Sequence, residues 1–249
     1  MQRGFEKDGQ RYLVTIKQNA PGQTFGLTLA GPELKRLQVV KGLSLELSDR
    51  GPIPIRQNVL SGQTPDYGTA FVINAVMLDG PPTPVIDSMP QLRGIGIDPV
   101  QAARADRIVL TNGKGQKGVW FETGSPLPAF AALNTCTDDL LVQWGLDPQQ
   151  HPSYVPPVMR NAKLLTKLLL KNYPTRAVAF GESGFFSFRV IVEIDGTVSS
   201  CHIEARTKVN YLDPRCEEVL RIANFDPARD AQGNPMRSFY STTINYLIP

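Results

Sequence analysis

The chain has 249 residues, of which 41% are hydrophobic and 20% are charged, and its formal net charge at pH 7 is +3. This composition supplies a hydrophobic core and excludes a disordered chain. The small net charge, with Lys and Arg scattered in runs no longer than a pair, argues against a nucleic-acid-binding protein. The length permits one large domain or two domains of ordinary size.

No stretch of the sequence approaches the roughly 20 apolar residues that a membrane helix needs. The most apolar run, at 162–172, is interrupted by Lys163, Lys167 and Lys171. The first residues are polar and lead directly into a strand-like alternation, which is not the pattern of a signal peptide. We therefore expect no membrane span in this chain. Composition alone fits both a cytosolic protein and the mature part of an exported protein.

Residues 1–145 are predicted to form a mostly antiparallel β domain that ends in one helix, so that the whole chain is of the α+β class. Short runs of alternating apolar and polar residues, separated by Gly and Pro, indicate an antiparallel sheet or sandwich. In two of them the apolar face consists of Tyr12, Val14 and Ile16, and of Leu43, Leu45 and Leu47. The predicted strands lie at 11–18, 24–31, 42–51, 69–80, 106–113 and 119–124.

The helix that closes this domain is predicted from helical spacing before residue 145. Its expected buried stripe consists of Leu133, Cys136, Leu140, Leu141 and Trp144, and Gly145 is expected to end it. Residues 146–160 follow; four prolines and no regular period at 145–161 predict a linker or a tightly turned connection there.

Residues 161–249 are predicted to form a second domain with the order helix, strand, strand, helix, strand. The first helix is amphipathic, with Asn161 as its N-cap. The first strand has an apolar face made of Phe186, Phe188, Val190, Val192 and Ile194, with Ser187, Arg189 and Glu193 on the other face. Asp195 and Gly196 predict a hairpin turn to the second strand. The second helix is expected to start at Asp213 and Pro214 and to bury Leu212, Cys216, Val219, Leu220 and Ala223.

Two of the three cysteines fall where the second strand and the second helix should face each other. Cys201 lies on the strand and Cys216 on the core side of the helix. A disulfide between them would close a loop of about 16 residues and contribute roughly 3 kcal/mol. Two buried free thiols are the alternative. We favour the disulfide, which implies an oxidising compartment and leaves Cys136 without a partner in this chain.

Catalytic and metal sites find little support in the sequence. Zinc needs three or four clustered ligands, whereas Cys201 and His202 are adjacent on a strand and point to opposite faces. The segment GESGF at 181–185 lacks the spacing of a nucleophile elbow and runs into a strand. The segment GKGQKG at 113–118 precedes a strand instead of a helix, so a hairpin tip is favoured over a dinucleotide site. Asp138 and Asp139 are neighbours on a helix and point apart. We expect no catalytic residue, cofactor or metal.

The second domain resembles the C-terminal domain of TonB-family proteins, the periplasmic ends of energy transducers in bacteria with an outer membrane. The motifs that carry the resemblance are Tyr173-Pro174, the stretch GESGFFSFRVIVEIDGTVSSCHIE, Leu212-Asp213, the stretch FDPARDAQGNPM and a closing strand. They cover about 80 residues, a third of the chain, and are specific only as a set. The resemblance implies a small three-stranded antiparallel sheet, and the cysteine pair is familiar from TonB-like members, which adds support for the disulfide.

The resemblance also implies a function. In the family the last strand lies at a sheet edge, where an extended peptide of an outer-membrane receptor adds as a further strand. Gly196 and Gly233 would allow tight turns, Phe225 would enter the core, and Pro227 and Pro235 would fix the link to the last strand. The matching edge strand consists of Phe239, Tyr240, Ser241, Thr242, Thr243, Ile244, Asn245, Tyr246 and Leu247.

A TonB transducer needs a membrane anchor and a long Pro-rich spacer, and this sequence contains neither. We therefore do not expect energy transduction, unless an anchor preceded this sequence and was removed. We therefore expect a non-enzymatic periplasmic binding or adaptor protein whose partner is an outer-membrane receptor or another envelope protein. Two alternatives stay open. One is an enzyme with its site in the first domain, and the other is a structural envelope protein that self-associates through its sheet edge.

Overall fold

A computed structural model of the protein describes residues 1–37, 42–55, 59–80, 96–112, 118–151, 153–171, 174–182, 184–207 and 216–246. The described chain divides into two compact units between Asp139 and Leu140. Each strand pairing between the described strands is antiparallel, and the sheets are accompanied by a few helices. The predicted α+β class is therefore confirmed.

The described residues of the first unit form nine strands, a short helix and most of a longer one, together with a 3-10 helix at Pro32–Leu37. The elements are β1 (Gln2–Lys7), β2 (Gln10–Lys17), β3 (Phe25–Ala30), β4 (Leu43–Glu46), β5 (Ile53–Pro54), β6 (Val59–Thr64), β7 (Gly68–Val76), α1 (Pro99–Arg104), β8 (Ile108–Asn112), β9 (Gly118–Phe121) and α2 (Leu127–Gln143).

Two sheets of the first unit share one hydrophobic core. One has the strand order β1-β2-β3-β7-β6 and the other β5-β4-β8-β9. The predicted apolar faces of β2 and β4 are buried, and residues of both belong to the same core cluster. Tyr12 of β2 and Phe121 of β9 meet edge to face, with ring centroids 6.2 Å apart. The alternating pattern thus identified the buried sides of these strands correctly.

Several elements of the first unit were not predicted. The strands β1, β5 and β6 and the helix α1 lie outside the predicted segments or within predicted loops. Helix α1 is thus an additional element, whereas α2 lies where the closing helix was predicted. The predicted stripe of α2 was partly right, because Leu133 and Leu141 are buried, but Cys136 is exposed and the unpredicted Phe130 and Thr137 are buried. Gly145 follows the helix with a φ of 70°, as expected of a helix-ending glycine. The tip of the β8–β9 hairpin, at 113–117, lies outside the described residues.

The second unit begins with the last turn of α2 and a 3-10 helix at Pro148–Gln150. Its further elements are β10 (Val158–Met159), α3 (Ala162–Lys171), α4 (Thr175–Ala179), β11 (Gly184–Val192), β12 (Val198–Arg206), α5 (Glu217–Ile222), β13 (Phe225–Asp226), β14 (Ala228–Arg229), β15 (Pro235–Met236) and β16 (Ser238–Tyr246).

A three-stranded sheet with the order β12-β11-β16 forms the centre of the second unit. Helices α3 and α5 contribute Leu165, Leu169 and Val219 to the core on one face of this sheet. Phe225, which follows α5, is also buried there. The side chain of Asn161 ties the start of α3 to the end of α5: it donates to the Ile222 carbonyl (2.7 Å) and accepts from the Asn224 N–H (3.1 Å).

The predicted burial on β11 and α5 needs correction at several positions. Ile194 is 61% exposed because β11 ends at Val192, and Leu220 is 39% exposed. Ser187 and Arg189, predicted on the face opposite the apolar one, are buried as well, since β11 is covered on both faces. The expected helix start at Leu212, Asp213 and Pro214 lies outside the described residues.

The segment 146–160, predicted to be a linker, belongs to the second unit. Tyr154 is buried, Val155 forms a bridge with Arg229, and β10 pairs with β13. Although it is rich in proline, the segment is therefore held by backbone hydrogen bonds to the strands before β16.

The turn between β11 and β12 depends on Gly196. Its φ is 84°, and its N–H and carbonyl bond to Glu193 and Phe225 respectively. A Cβ at this position would lie 2.1 Å from the carbonyl oxygen of Phe225. The hairpin turn therefore packs directly on the backbone of β13, and only glycine leaves room for that contact.

We expect Gly196→Ala to lower the free energy of unfolding by about 3 kcal/mol, through the positive φ and the collision with Phe225. Gly233→Ala is the matched control, because Gly233 also has a positive φ (87°) but has open space around its Cβ position. It should cost only about 1 kcal/mol. Urea unfolding followed by tryptophan fluorescence measures both values. Equal losses in the two variants would contradict the role given to the Phe225 contact.

Candidate functional site

The strand β16 lies at the edge of the three-stranded sheet. It pairs with β11 over its whole length, from Ser238 opposite Val192 to Tyr246 opposite Gly184. No other described strand pairs with its outer side. Alternate backbone N–H and C=O groups of an edge strand point away from its only neighbour. The nine residues of β16 therefore present a row of backbone donors and acceptors suited to a further strand.

One face of β16 packs against the hydrophobic core of the second unit. Tyr240 and Ile244 pack on the core formed by Phe186, Phe188 and neighbouring residues of β11. The ring of Tyr240 also contacts that of Phe225, with centroids 5.0 Å apart. Phe186, Phe188 and Phe225 are buried, and Tyr240 and Ile244 are partly buried against them. One face of β16 is thus fixed by hydrophobic packing.

The other face of the sheet carries a buried charge. The Nε of Arg189 donates to Glu204 Oε1 at 2.8 Å, and the Arg189 side chain is only 7% exposed. The guanidinium lies 4.1 Å from the ring centroid of Trp144, which in turn meets Phe239 at 5.3 Å. A buried arginine needs both an acidic partner and a surface on which to stack. This chain of contacts joins β12, β11 and the first residues of β16.

A hydrogen bond between side chains adds to the pairing of β11 with β16 on the same face. The hydroxyls of Ser187 and Thr243 are 2.7 Å apart, on residues that are directly opposite each other. Ser187 is buried, so its hydroxyl needs this partner. Ser241 and Thr243 lie on this face, where Phe239 is also present but buried, so that Phe239 belongs to the structural support.

The start of β16 is held by a fully buried histidine. His151 has 0% exposure, and its Nδ1 and Nε2 lie 2.8 Å from the Asp147 carbonyl and 3.1 Å from Ser238 Oγ. A carbonyl only accepts, so Nδ1 carries the proton and Nε2 accepts from the serine hydroxyl. The imidazole also contacts the rings of Tyr154 and Phe239. Burial lowers the pKa of His151. The hydrogen bond to the Asp147 backbone and the charge of Asp147 act in the opposite direction, but they offset only part of the effect of burial.

Arg237, next to β16 in the chain, makes two further links. Its Nε donates to Glu193 Oε1 at 2.9 Å, and its Nη1 donates to the carbonyl of Gly145 at 2.8 Å. The pKa of Glu193 is held below its ordinary value, first by the hydrogen bond from Ser199 and also by Arg237, against the effect of burial. The entry to β16 is therefore tied to the end of β11 and to the turn after α2.

The disulfide between Cys201 and Cys216 is present, as predicted, with Cα atoms 5.7 Å apart. It joins β12 to the residue before α5, and α5 packs against β12. The edge of the sheet opposite β16 is thus bound covalently to a helix. This asymmetry leaves β16 as the long edge strand of the second unit without a covalent tether.

The structure places most of the predicted site residues on one element. Phe239 to Tyr246 lie on β16, and Leu247 lies outside the described residues. His202 is exposed on β12, as expected of a solvent-facing residue. Sequence reasoning missed His151, Trp144 and the burial of Arg189. The sequence hinted at these three residues only through their residue types. A His, a Trp and an Arg near a predicted sheet all have polar groups that need partners when buried.

The described part of the chain contains no cluster of three or more His, Cys, Asp or Glu residues arranged to hold a metal ion. Among the same residues no helix is long and apolar enough to cross a membrane.

The chain matches no model of a known protein family, no curated protein and no solved structure. The relation to TonB-family proteins therefore stays a prediction from the sequence motifs.

The buried, neutral His151 predicts a loss of stability at mildly acidic pH. Above the unfolded-state pKa of about 6.5 the imidazole is neutral in both states. As the pH falls below that value the unfolded chain binds a proton that the folded chain resists, so the free energy of unfolding decreases until the lowered folded-state pKa is passed. The slope should reach at most about 1.4 kcal/mol per pH unit.

Urea unfolding between about pH 7.5 and about pH 5 measures this slope. His151→Asn should remove it, whereas the matched variant His202→Asn, which changes the only other histidine, should keep it. A wild-type stability that stays constant over this range, or a slope that follows His202 instead, would contradict the assignment.

Proposed function

We propose that the second unit is a TonB-like binding domain that captures an extended peptide segment of an envelope protein as a fourth strand beside β16. The observation that carries the proposal is the position of β16, a nine-residue strand at the edge of a sheet with no described strand on its outer side. Backbone hydrogen bonds supply affinity in this mode of recognition, and alternate side chains supply specificity.

The contacts around β16 support this use. The strand is held from both faces, by Tyr240 and Ile244 in the core and by the Thr243–Ser187 hydrogen bond on the other side. A strand that is already ordered loses little conformational entropy when a peptide binds. In the described part of β16 all side chains from Tyr240 to Ile244 are half-buried, so the backbone edge offers more for recognition than the side chains do.

The protein is proposed to be non-enzymatic. In the first unit the described residues pack around one core, and a shallow depression of about 320 Å³ beside Leu34, Gly62 and Phe71 has no carboxylate in its lining. General acid–base chemistry draws on titratable groups that converge in a cleft. The first unit is therefore proposed to act as a scaffold or a further binding module, with the outer-membrane receptor or envelope partner bound by the second unit.

Two proline variants test the edge of β16. Neighbouring residues in a strand direct their N–H groups to opposite sides, so Ser241→Pro and Thr242→Pro remove one N–H that faces β11 and one that faces outward. The inward one should lower the free energy of unfolding by several kcal/mol, whereas the outward one should be tolerated. The variant with the smaller stability loss should be the one that no longer binds peptide. Each variant thus serves as the control of the other.

The probe is a linear peptide of about 12 residues selected from a random phage-displayed library on the full-length protein. The backbone nitrogens of that peptide form two alternating sets, and only one set can donate to β16. Methylating that set should weaken binding by about 10- to 100-fold, whereas methylating the other set should leave binding unchanged. Failure to select any binder, tolerance of methylation in both sets, or unchanged binding to the stable proline variant would each overturn the proposal. Concentration-dependent dimerisation that the stable proline variant abolishes would favour self-association instead.

We propose a periplasmic location on the basis of the disulfide, because such bonds persist in oxidising compartments. The protein isolated from its native cells should then take up one alkylating group, at the exposed Cys136, before reduction and three after reduction. Intact-mass spectrometry counts the groups added. Three groups added without reduction would place the protein in a reducing compartment and exclude the periplasmic proposal.

A further inference from the structure

The surface of helix α3 is strongly basic. Residues 160–181 contain five Lys and Arg residues and no Asp or Glu, a charge of +5, whereas the whole chain carries +3. The remainder of the chain is therefore net negative, at −2. Arg160 forms an ion pair with Asp226, but no carboxylate among the described residues lies within ion-pair distance of Lys163, Lys167 or Lys171. The positive charge of the segment is thus concentrated on α3.

The three lysines form a single stripe along α3. They are spaced four residues apart, so each is rotated by about 40° from the last and the stripe is about 12 Å long. All three are exposed, whereas Leu165 and Leu169 on the opposite side are buried in the core of the second unit. The stripe therefore faces away from the sheet. A shallow depression of about 480 Å³ lies between Ala162, Lys163, Thr166 and Lys167.

Exposed apolar side chains accompany the stripe. Leu164 is 51% exposed and lies about 20° from Lys171 on the helical projection. Helix α4 begins at Thr175, four residues after Lys171. Four residues of extended chain span about 14 Å at most, so the start of α4 lies within that distance of Lys171. Val178 and Phe180, on and directly after α4, are 50% and 68% exposed. Exposed apolar side chains thus lie near the lysines along the chain, and basic and apolar groups occur together in proteins that bind at a lipid interface.

We propose that the α3–α4 surface, defined by Lys163, Lys167 and Lys171 with Leu164, Val178 and Phe180, docks on a membrane surface that contains anionic phospholipid. Charge complementarity selects this occupant: three ammonium groups in a row, in a segment without carboxylates, match a layer of phosphate headgroups. The apolar face of α3 is already used in the core, so the helix adsorbs to the headgroups and does not insert. The contact is therefore reversible and sensitive to salt.

Co-sedimentation of the full-length protein with lipid vesicles tests this proposal. One set of vesicles is phosphatidylcholine alone and the other contains about a quarter phosphatidylglycerol. We expect binding to the anionic vesicles only, with loss of binding as NaCl is raised from about 0.05 M to about 0.5 M. Equal binding to both vesicles, or none to the anionic vesicles at low salt, overturns the proposal without the use of any variant.

A charge-matched pair of variants then locates the surface. Replacing Lys163, Lys167 and Lys171 by Gln should weaken partition onto the anionic vesicles on the order of 100-fold, since each lysine contributes roughly fivefold. Replacing three exposed lysines among the described residues of the first unit, Lys7, Lys17 and Lys35, by Gln removes the same charge and should change binding much less. Equal losses in the two variants would show a response to net charge alone and overturn the assignment to α3–α4. Circular dichroism verifies that both variants fold.

Discussion

The second unit depends on the burial of β11 on both of its faces. On one face Phe186, Phe188 and Val190 meet the helices, and on the other Ser187, Arg189 and Ile191 are buried as well. A strand buried on both faces leaves its polar side chains without water, so each needs a partner from the protein. Arg189 finds Glu204 and Trp144, and Ser187 finds Thr243. The elements that flank the sheet are positioned by these requirements.

The same requirements explain the arrangement at the start of β16. Trp144 stacks on Arg189 and also contacts Phe239, while His151 contacts Phe239 and bonds to Ser238. Residues from the turns after α2 thus cover the end of β16 nearest to them and hold its first residues. The rest of β16, from Tyr240 onward, keeps a regular pairing with β11 and an outer side that no described strand occupies. A well-supported strand with an open edge is the feature on which the proposed peptide binding depends.

Alternation and turn chemistry predicted the parts of the fold that depend on local sequence. The buried faces of β2 and β4 and the hairpin at Gly196 follow from period-two patterns and from a residue that tolerates positive φ. The disulfide could also be predicted from the sequence, because a strand and a helix that pack together bring one side chain of each into contact. The edge position of β16 followed from the family resemblance and not from composition.

What sequence reasoning missed depends on contacts between residues far apart in the chain. The polar face of β11 looks solvent-exposed by its pattern, and its burial requires Trp144, some 45 residues earlier, to cover Arg189. The segment 146–160 has the prolines of a linker, yet its backbone pairs with strands about 70 residues later. His151 reads as a surface residue of that segment for the same reason. The local alternation of apolar and polar residues contains no information on partners so far away in the chain, so only the folded structure identifies them.

The proposed peptide and lipid surfaces of the second unit are separated by the way the helices pack. Helix α3 contributes Leu165 and Leu169 to one face of the sheet, which turns its lysine stripe away from the strands. The outer side of β16 is an edge, at right angles to the direction in which strands face the helices. A peptide added at β16 therefore extends the sheet sideways and does not cover the stripe. The proposed peptide and the proposed membrane would therefore contact different elements of the second unit, β16 and α3.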